Sequence, residues 1–365
     1  MLRFLLTHGI AAALCLSLRG APPEPLVIPF PDARLTVDGL GWWKETQPAL
    51  QRLPERLKPT IPSKVWRLAQ APAGVRIRFR TDSVQLRLEA KTGAYKVAPS
   101  PALGLIGIDL YVNGRYHGST LPEKEDGLIK KDWVTGKTPE MRDITLYLPI
   151  GTPTLIQSIT LDPGAKVEPA RAYASAKPIV YYGSSITQGA QTSNPGMPFP
   201  CVLGRWLDMD FVNLGFSGNG KGEPALAHAV AEIDAACFVL DYWANPTPKE
   251  FSDTLPGFVD IIRAKHPTTP IIIPSPYYNP SEAFGSRMGE YQIEKRKFAP
   301  EFVEKRRAAG DANIHHVDGF SLISPDQADA LSDARHANSY GMFLYARGIE
   351  PHLRKVLGLP AVPAR

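Results

Sequence analysis

"IVYYGSSITQG", residues 179–189, decides the fold. An apolar run ends at Gly183, two hydroxyl side chains follow at once, and a helix-like segment begins. A strand buried on both faces reads as an unbroken apolar run rather than as an alternation. The same arrangement recurs at "FVNLG" (211–215), "CFVLDYW" (237–243), "PIIIPS" (270–275) and "NIHHVDG" (313–319). Helix-like segments such as "PALAHAVAEI" (224–233) and "FVEKRRAA" (302–309) lie between these runs. Strands that alternate with helices indicate a parallel sheet covered on both sides, an α/β unit over residues 178–365. Ligands of such sheets bind beyond the carboxyl ends of the strands, so the residues directly after each run are the ones to inspect.

The N-terminal half has a different period. In "GVRIRFRTDSVQLRLEAK" (74–91), Val75, Ile77 and Phe79 alternate with Arg76, Arg78 and Arg80, and Val84, Leu86 and Leu88 repeat the pattern. A period of two suits a half-buried antiparallel hairpin turning at Thr81-Asp82-Ser83. "LYVNGRYHG" (110–118) sets Asn113-Gly114 between strand-like flanks, a two-residue hairpin signal. "DITLYLPI" (143–150) and "TLIQSITL" (154–161) add strands. Many short strands without helices between them indicate an all-β sandwich over residues 22–165. The stretch 161–178, rich in Pro, Ala and Gly and without either period, holds the domain boundary, with residues 166–177 as the linker.

Residues 1–21 read as a secretion signal, with Arg3, an apolar stretch from Phe4 to Leu18, then Gly20 and Ala21. Leu14 stands where a lipoprotein signal at Cys15 wants a small residue. The expected location is secreted or periplasmic, with no stable membrane insertion once the signal is removed. Export leaves Cys201 and Cys237, either paired in an oxidising compartment or kept as buried thiols. The net charge of +5 is scattered; Lys130-Lys131 and Arg306-Arg307 form no stripe. Nucleic-acid binding needs concentrated cations and is excluded on that ground.

Four strand ends carry chemistry. Ser184 and Ser185 follow the first run, a glycine loop with Gly218 the second, Asn245 the third, and Asp333 and His336 lie past the fifth. A serine hydroxyl needs a base to take its proton, and an imidazole serves near neutral pH. A carboxylate orients that imidazole, while loop N–H groups and an amide can receive the oxyanion of a tetrahedral intermediate. Each residue also has an ordinary role. Ser185 suits a helix cap, Asn245 before Pro246 suits a turn, and Asp333 suits the cap of the last helix. "GFSGNGKG" (215–222) approaches a phosphate loop, with Asp241 where a Mg²⁺-supporting acid would stand, but Gly222 replaces the required hydroxyl residue. Neither Ser185 nor Ser217 has the second glycine of a nucleophile elbow. No histidine pair or cysteine cluster has zinc spacing, and the adjacent His315 and His316 read as structural.

Together these residues resemble the SGNH, or GDSL-type, hydrolase superfamily. "GSSITQG" (183–189) is similar to its first block, with Ser184 in place of the usual Asp. "NLGFSGNG" (213–220), "DYWANP" (241–246) and "DARHANSYG" (333–341) resemble the later blocks, although the third lacks the common Gly-x-Asn-Asp form. "GIDLY" (107–111) resembles the signature of a β-sandwich domain that precedes the catalytic domain in a bacterial subgroup, and "RLPERL" (52–57) fits the same subgroup. The resemblance implies a three-layer α/β/α, flavodoxin-like catalytic domain preceded by a jelly-roll-like sandwich, with no metal or cofactor. It assigns Ser185 as nucleophile, His336 as base, Asp333 as its orienting partner, and the Ser185 N–H, Gly218 N–H and Asn245 amide as oxyanion hole. The expectation is a secreted serine esterase acting on short acyl esters of small molecules or polysaccharides. A lipase or lysophospholipase on the same machinery is one alternative. The other is a non-catalytic glycan-binding protein using aromatics such as Trp42, Trp43, Tyr277 and Tyr278. Oligomeric state is open.

Overall fold

The computed structural model describes residues 23–93 and 101–362. The leader read at residues 1–21, with Cys15, lies outside the described residues. The N-terminal strands are β1 (Leu26–Pro29), β2 (Thr36–Asp38), β3 (Arg76–Thr81), β4 (Gln85–Thr92), β5 (Ile108–Val112), β6 (Arg115–Thr120), β7 (Leu128–Val134), β8 (Arg142–Tyr147), β9 (Thr154–Leu161) and β10 (Val167–Pro169). They form two sheets, β1-β9-β4-β7 and β10-β3-β8-β5-β6, with β2 also paired to β3. Inward residues of both sheets, among them Ile77, Phe79, Ile144, Leu146, Leu86, Leu88 and Ile159, make one core. Three short helices, α1 (Trp43–Thr46), α2 (Ser63–Ala69) and α3 (Ala102–Ile106), interrupt the strands, and Val65, Trp66 and Ala69 of α2 join the core of the C-terminal domain.

Two expectations change here. β3 and β4 are not a hairpin, because β3 pairs with β8 and β4 with β9 and β7. The Thr81-Asp82-Ser83 corner carries the chain from one sheet to the other. Asp162 holds it by accepting the Val84 and Gln85 N–H groups at 2.8 and 3.0 Å. The second change is at residues 166–177, where Val167–Pro169 extends the larger sheet as β10 instead of crossing as free linker. The Asn113-Gly114 turn between β5 and β6 has φ of 50° and 73°, the positive values that its tight hairpin requires.

The C-terminal domain contains β11 (Ile179–Gly183), β12 (Phe211–Gly215), β13 (Cys237–Asp241), β14 (Ile271–Pro274) and β15 (Ile314–Val317). All pairings are parallel, in the order β12-β11-β13-β14-β15. Its helices are α4 (Ser185–Gln188), α5 (Phe199–Leu207), α6 (Pro224–Val230), α7 (Pro248–Lys265), α8 (Arg287–Ala308) and α9 (Ser339–Leu357). α5 packs on α9, and α6 on α7, which packs on α8. This is the three-layer α/β/α, flavodoxin-like order. The strand order reverses between β11 and β13, so their carboxyl ends mark the expected ligand crevice. Among the described residues, no helix is long and apolar enough to cross a membrane.

The two domains share a broad seam along β12, an edge strand. A free edge leaves backbone groups unpaired. Here Arg52 donates to Asn213 O and Gly215 O at 2.9 and 2.7 Å, and Arg76 donates to Phe211 O at 3.2 Å. The Asp210 and Asn213 side chains accept the Phe211 and Gly215 N–H groups. Side chains thus do the work of a missing neighbour strand. Asp109 of "GIDLY" is fully buried at the same seam, where it accepts from Gly196 N–H and the Ser119 hydroxyl at 2.9 and 2.5 Å. Tyr111 and Tyr147 lie against the Arg205 guanidinium of α5. The signature therefore docks the sandwich onto the segment that follows α4.

Candidate active site

The first parallel strand delivers two serines with different tasks. Ser184 is the N-cap of α4, and its hydroxyl accepts the Ile186 N–H at 3.2 Å. Capping therefore falls to Ser184, which leaves the Ser185 hydroxyl available. Ser185 Oγ lies 2.8 Å from His336 Nε2. His336 Nδ1 lies 2.8 Å from Asp333 Oδ2, and Asp333 Oδ1 accepts the backbone N–H groups of Arg335 and His336. An acidic partner at Nδ1 fixes that nitrogen as the proton-bearing one, so Nε2 accepts from Ser185 O–H. Desolvation pushes the Asp333 carboxyl up, but the His336 backbone N–H and imidazole outweigh it and hold the carboxyl below its usual range. Asp333 does not cap the last helix; Asn338 does, accepting the Gly341 N–H at 3.0 Å.

The oxyanion candidates meet on the same rim. Gly218 has φ of 69°, a left-handed conformation that glycine adopts at no steric cost. Asn245 Oδ1 accepts the Gly220 N–H at 3.0 Å, which leaves its NH₂ group for another acceptor. Gly220 itself packs against the end of β11, where a Cβ would lie 2.3 Å from Gly183 O. Ser185, Gly218, Ala244, Asn245, Asp333 and His336 all line one open cleft of ≈ 330 Å³. The structure thus brings together every residue that the sequence singled out for acyl transfer.

Other residues in this region carry no sequence signal of their role. Gln188 accepts the Ser217 N–H at 2.9 Å and donates to Ile150 O at 2.8 Å, tying the glycine loop to the sandwich. Asp241 is fully buried and accepts from Thr187 Oγ1, Trp243 Nε1 and Tyr345 OH at 2.7, 2.8 and 2.7 Å. Burial pushes its carboxyl up to about 7. It is therefore engaged inside the fold, and the phosphate-loop reading loses its Mg²⁺-supporting acid. Tyr277 OH donates to Arg335 O at 2.6 Å and so braces the histidine loop.

The aromatics of the glycan-binding alternative do not form a platform. Trp42 and Tyr277 are buried, Trp43 packs against the sandwich core, and Tyr278 is half-buried. Cys201 and Cys237 are buried free thiols, and burial raises both, Cys201 to about 12. His315 and His316 lie half-buried on the edge strand β15, where burial lowers both.

A sequence profile of the GDSL-like lipase/acylhydrolase family matches residues 176–354, and a profile of the N-terminus of SGNH-hydrolase-type esterases matches residues 30–167. No curated protein matches the chain. Among solved structures, a Bacteroides ovatus protein described as GDSL-like lipase superposes with a TM-score of 0.84 at 28% identity, over 93% of this chain and 100% of that one. A salicylyl-acyltransferase from a tetracycline biosynthetic pathway superposes with a TM-score of 0.77 at 23% identity, over 93% of this chain and 99% of its own. A family two carbohydrate esterase from Cellvibrio japonicus shares the fold with a TM-score of 0.60 at 13% identity, over 92% of this chain and 99% of its own.

Proposed function

Because the chain belongs to the GDSL-like lipase/acylhydrolase family, with the N-terminal domain of SGNH-type esterases, we propose that it is a secreted serine esterase that removes short acyl groups, acetyl foremost, from oligo- or polysaccharides. The observation that carries this reading is the unbroken Ser185–His336–Asp333 chain of 2.8 Å contacts opening on the cleft.

Ser185 Oγ attacks the ester carbonyl while His336 Nε2 takes its proton. Asp333 stabilises the imidazolium that results. The carbonyl oxygen becomes an oxyanion, received by the Ser185 and Gly218 N–H groups and the Asn245 amide. As the tetrahedral centre collapses, His336 returns the proton to the leaving alcohol oxygen. Water then attacks the acyl-Ser185 ester with His336 again as base, and releases the acid.

The acyl side favours small groups. Among the described residues, the apolar lining of the cleft consists of Ile186, Ala190 and Ala244, little apolar surface for a long acyl chain. The carbohydrate side is supported by the fold shared with a carbohydrate esterase over 92% of the chain. The leader-like residues 1–21 support export.

The deciding experiment compares acetate release from acetylated polysaccharides with hydrolysis of esters of rising chain length. Acetate release and a steep fall beyond short acyl chains are expected. A preference for long acyl chains would overturn the substrate assignment, and unchanged turnover by Ser185→Ala would overturn the mechanism.

A further inference from the structure

Asn245 sits in a turn between β13 and α7, and a cation lies directly behind that turn. Lys295, on α8, is only 1% exposed. Its Nζ donates to Trp243 O at 2.8 Å and to Pro246 O at 3.1 Å, the carbonyls on either side of Asn245. Among the described residues it forms no ion pair, and the Glu250 and Glu294 carboxylates act on it only as charges at longer range. A buried charge without a directly paired counter-ion is costly, and a neutral side chain of similar shape would pack there more cheaply. The oxyanion is the negative charge that this geometry can answer.

We propose that Lys295 is a positioning residue for the oxyanion hole: in its charged form it clamps the 243–246 turn so that the Asn245 amide, tied at its other end to Gly220, faces the reacting carbonyl. This rests on the reading of Asn245 as an oxyanion donor. Charge-assisted hydrogen bonds are about twice as strong as neutral ones, so loss of the proton loosens both clamps and removes a positive charge behind the oxyanion. The charged groups facing Lys295 are Arg335 from the histidine loop, Glu250 from α7 and Glu294 from α8 itself. Burial, and then Arg335, lower the ammonium to about 8, against the two glutamates. The charged form is therefore fully present below that pH and is lost above it. Asp241, raised to about 7, titrates at lower pH and is separated by comparing parent and variant across the alkaline range.

The test is a set of kcat and KM profiles on a short activated ester from pH 6 to 10. In the parent, kcat falls by about tenfold through the region above pH 8 while KM is steady. Lys295→Met has a low kcat with the same KM and no alkaline fall. Lys295→Gln, which keeps two neutral donors, lies between the two and is also flat. A parent kcat that is level through pH 7–10 overturns the proposal even if both variants fail to fold. So does a folded variant with the parent's kcat and profile. Asn245→Ala is the control for the underlying reading. If it is fully active, the oxyanion assignment fails; if it is impaired while the Lys295 variants behave as the parent, only the clamp fails.

Discussion

Arg52→Leu tests the seam between the two domains. Arg52 is 1% exposed, and among the described residues no carboxylate pairs with it. Its guanidinium donates to Ala71 O, Asn213 O, Gly215 O and Leu68 O at 2.9, 2.9, 2.7 and 2.8 Å, and lies over the Phe216 ring. Burial lowers it to about 9. Leucine takes this donor from the Ala71, Asn213 and Gly215 carbonyls, while Leu68 O keeps the Ala71 N–H at 3.3 Å. Each costs about 1–3 kcal/mol when left unpaired in the interior. Relief of the guanidinium's own desolvation offsets several kcal/mol of that sum. The net loss is about 3–5 kcal/mol, which for cooperative units of this size lowers Tm by roughly 10 °C. Arg52→Lys recovers part of the loss because an ammonium reaches fewer carbonyls. Thermal unfolding followed by circular dichroism is the assay. A leucine variant that melts within about 2 °C of the parent, well inside the ~10 °C scale above, would refute the claim that this arginine seals the β12 edge.

Other expectations follow from the same geometry. Ser184→Ala removes the α4 cap and costs about 1 kcal/mol in denaturant unfolding, while esterase turnover stays within a few-fold of the parent. Gly218→Ala meets no atom within 4 Å, so its effect is backbone strain alone: about 1–2 kcal/mol in the loop, read as reduced kcat with an unchanged fold. Asp241 is raised to about 7 by burial, from an ordinary value of 3.8. Its contribution to stability is therefore fully present below pH ~4 and is lost as pH rises toward ~7, by at most about 4 kcal/mol. Asp241→Asn flattens that slope, so the Tm of the variant minus that of the parent grows from pH 4.5 to 7.5; a constant difference contradicts the assignment.

The five parallel strands are readable because burial on both faces leaves uninterrupted apolar runs, and their carboxyl ends point to the site. Pairing is less readable. Residues 75–91 alternate cleanly, yet β3 and β4 lie in different sheets that share one core. A period of two records which residues share a face, not which strand lies alongside. It also does not record what covers the other face: Arg76 alternates like a solvent-facing residue but is 1% exposed against the second domain. Ser184 and Ser185 are chemically alike, and only the backbone at the helix start assigns one to the cap. Lys295 lies in "RMGEYQIEKRKFAPEFVEKRRA", where one cation among many looks solvated. Its burial depends on a turn some fifty residues earlier in the chain, a contact that local pattern does not contain.

The central claim is that one hydroxyl, at position 185, is activated by His336. A small fluorophosphonate reacts covalently with such a serine, and intact-mass measurement with peptide mapping reports where. One adduct on Ser185 is expected in the parent, none in Ser185→Ala, and a greatly slowed adduct in His336→Ala. An adduct on Ser184 or Ser217, or equal labelling of the parent and Ser185→Ala, would contradict the account.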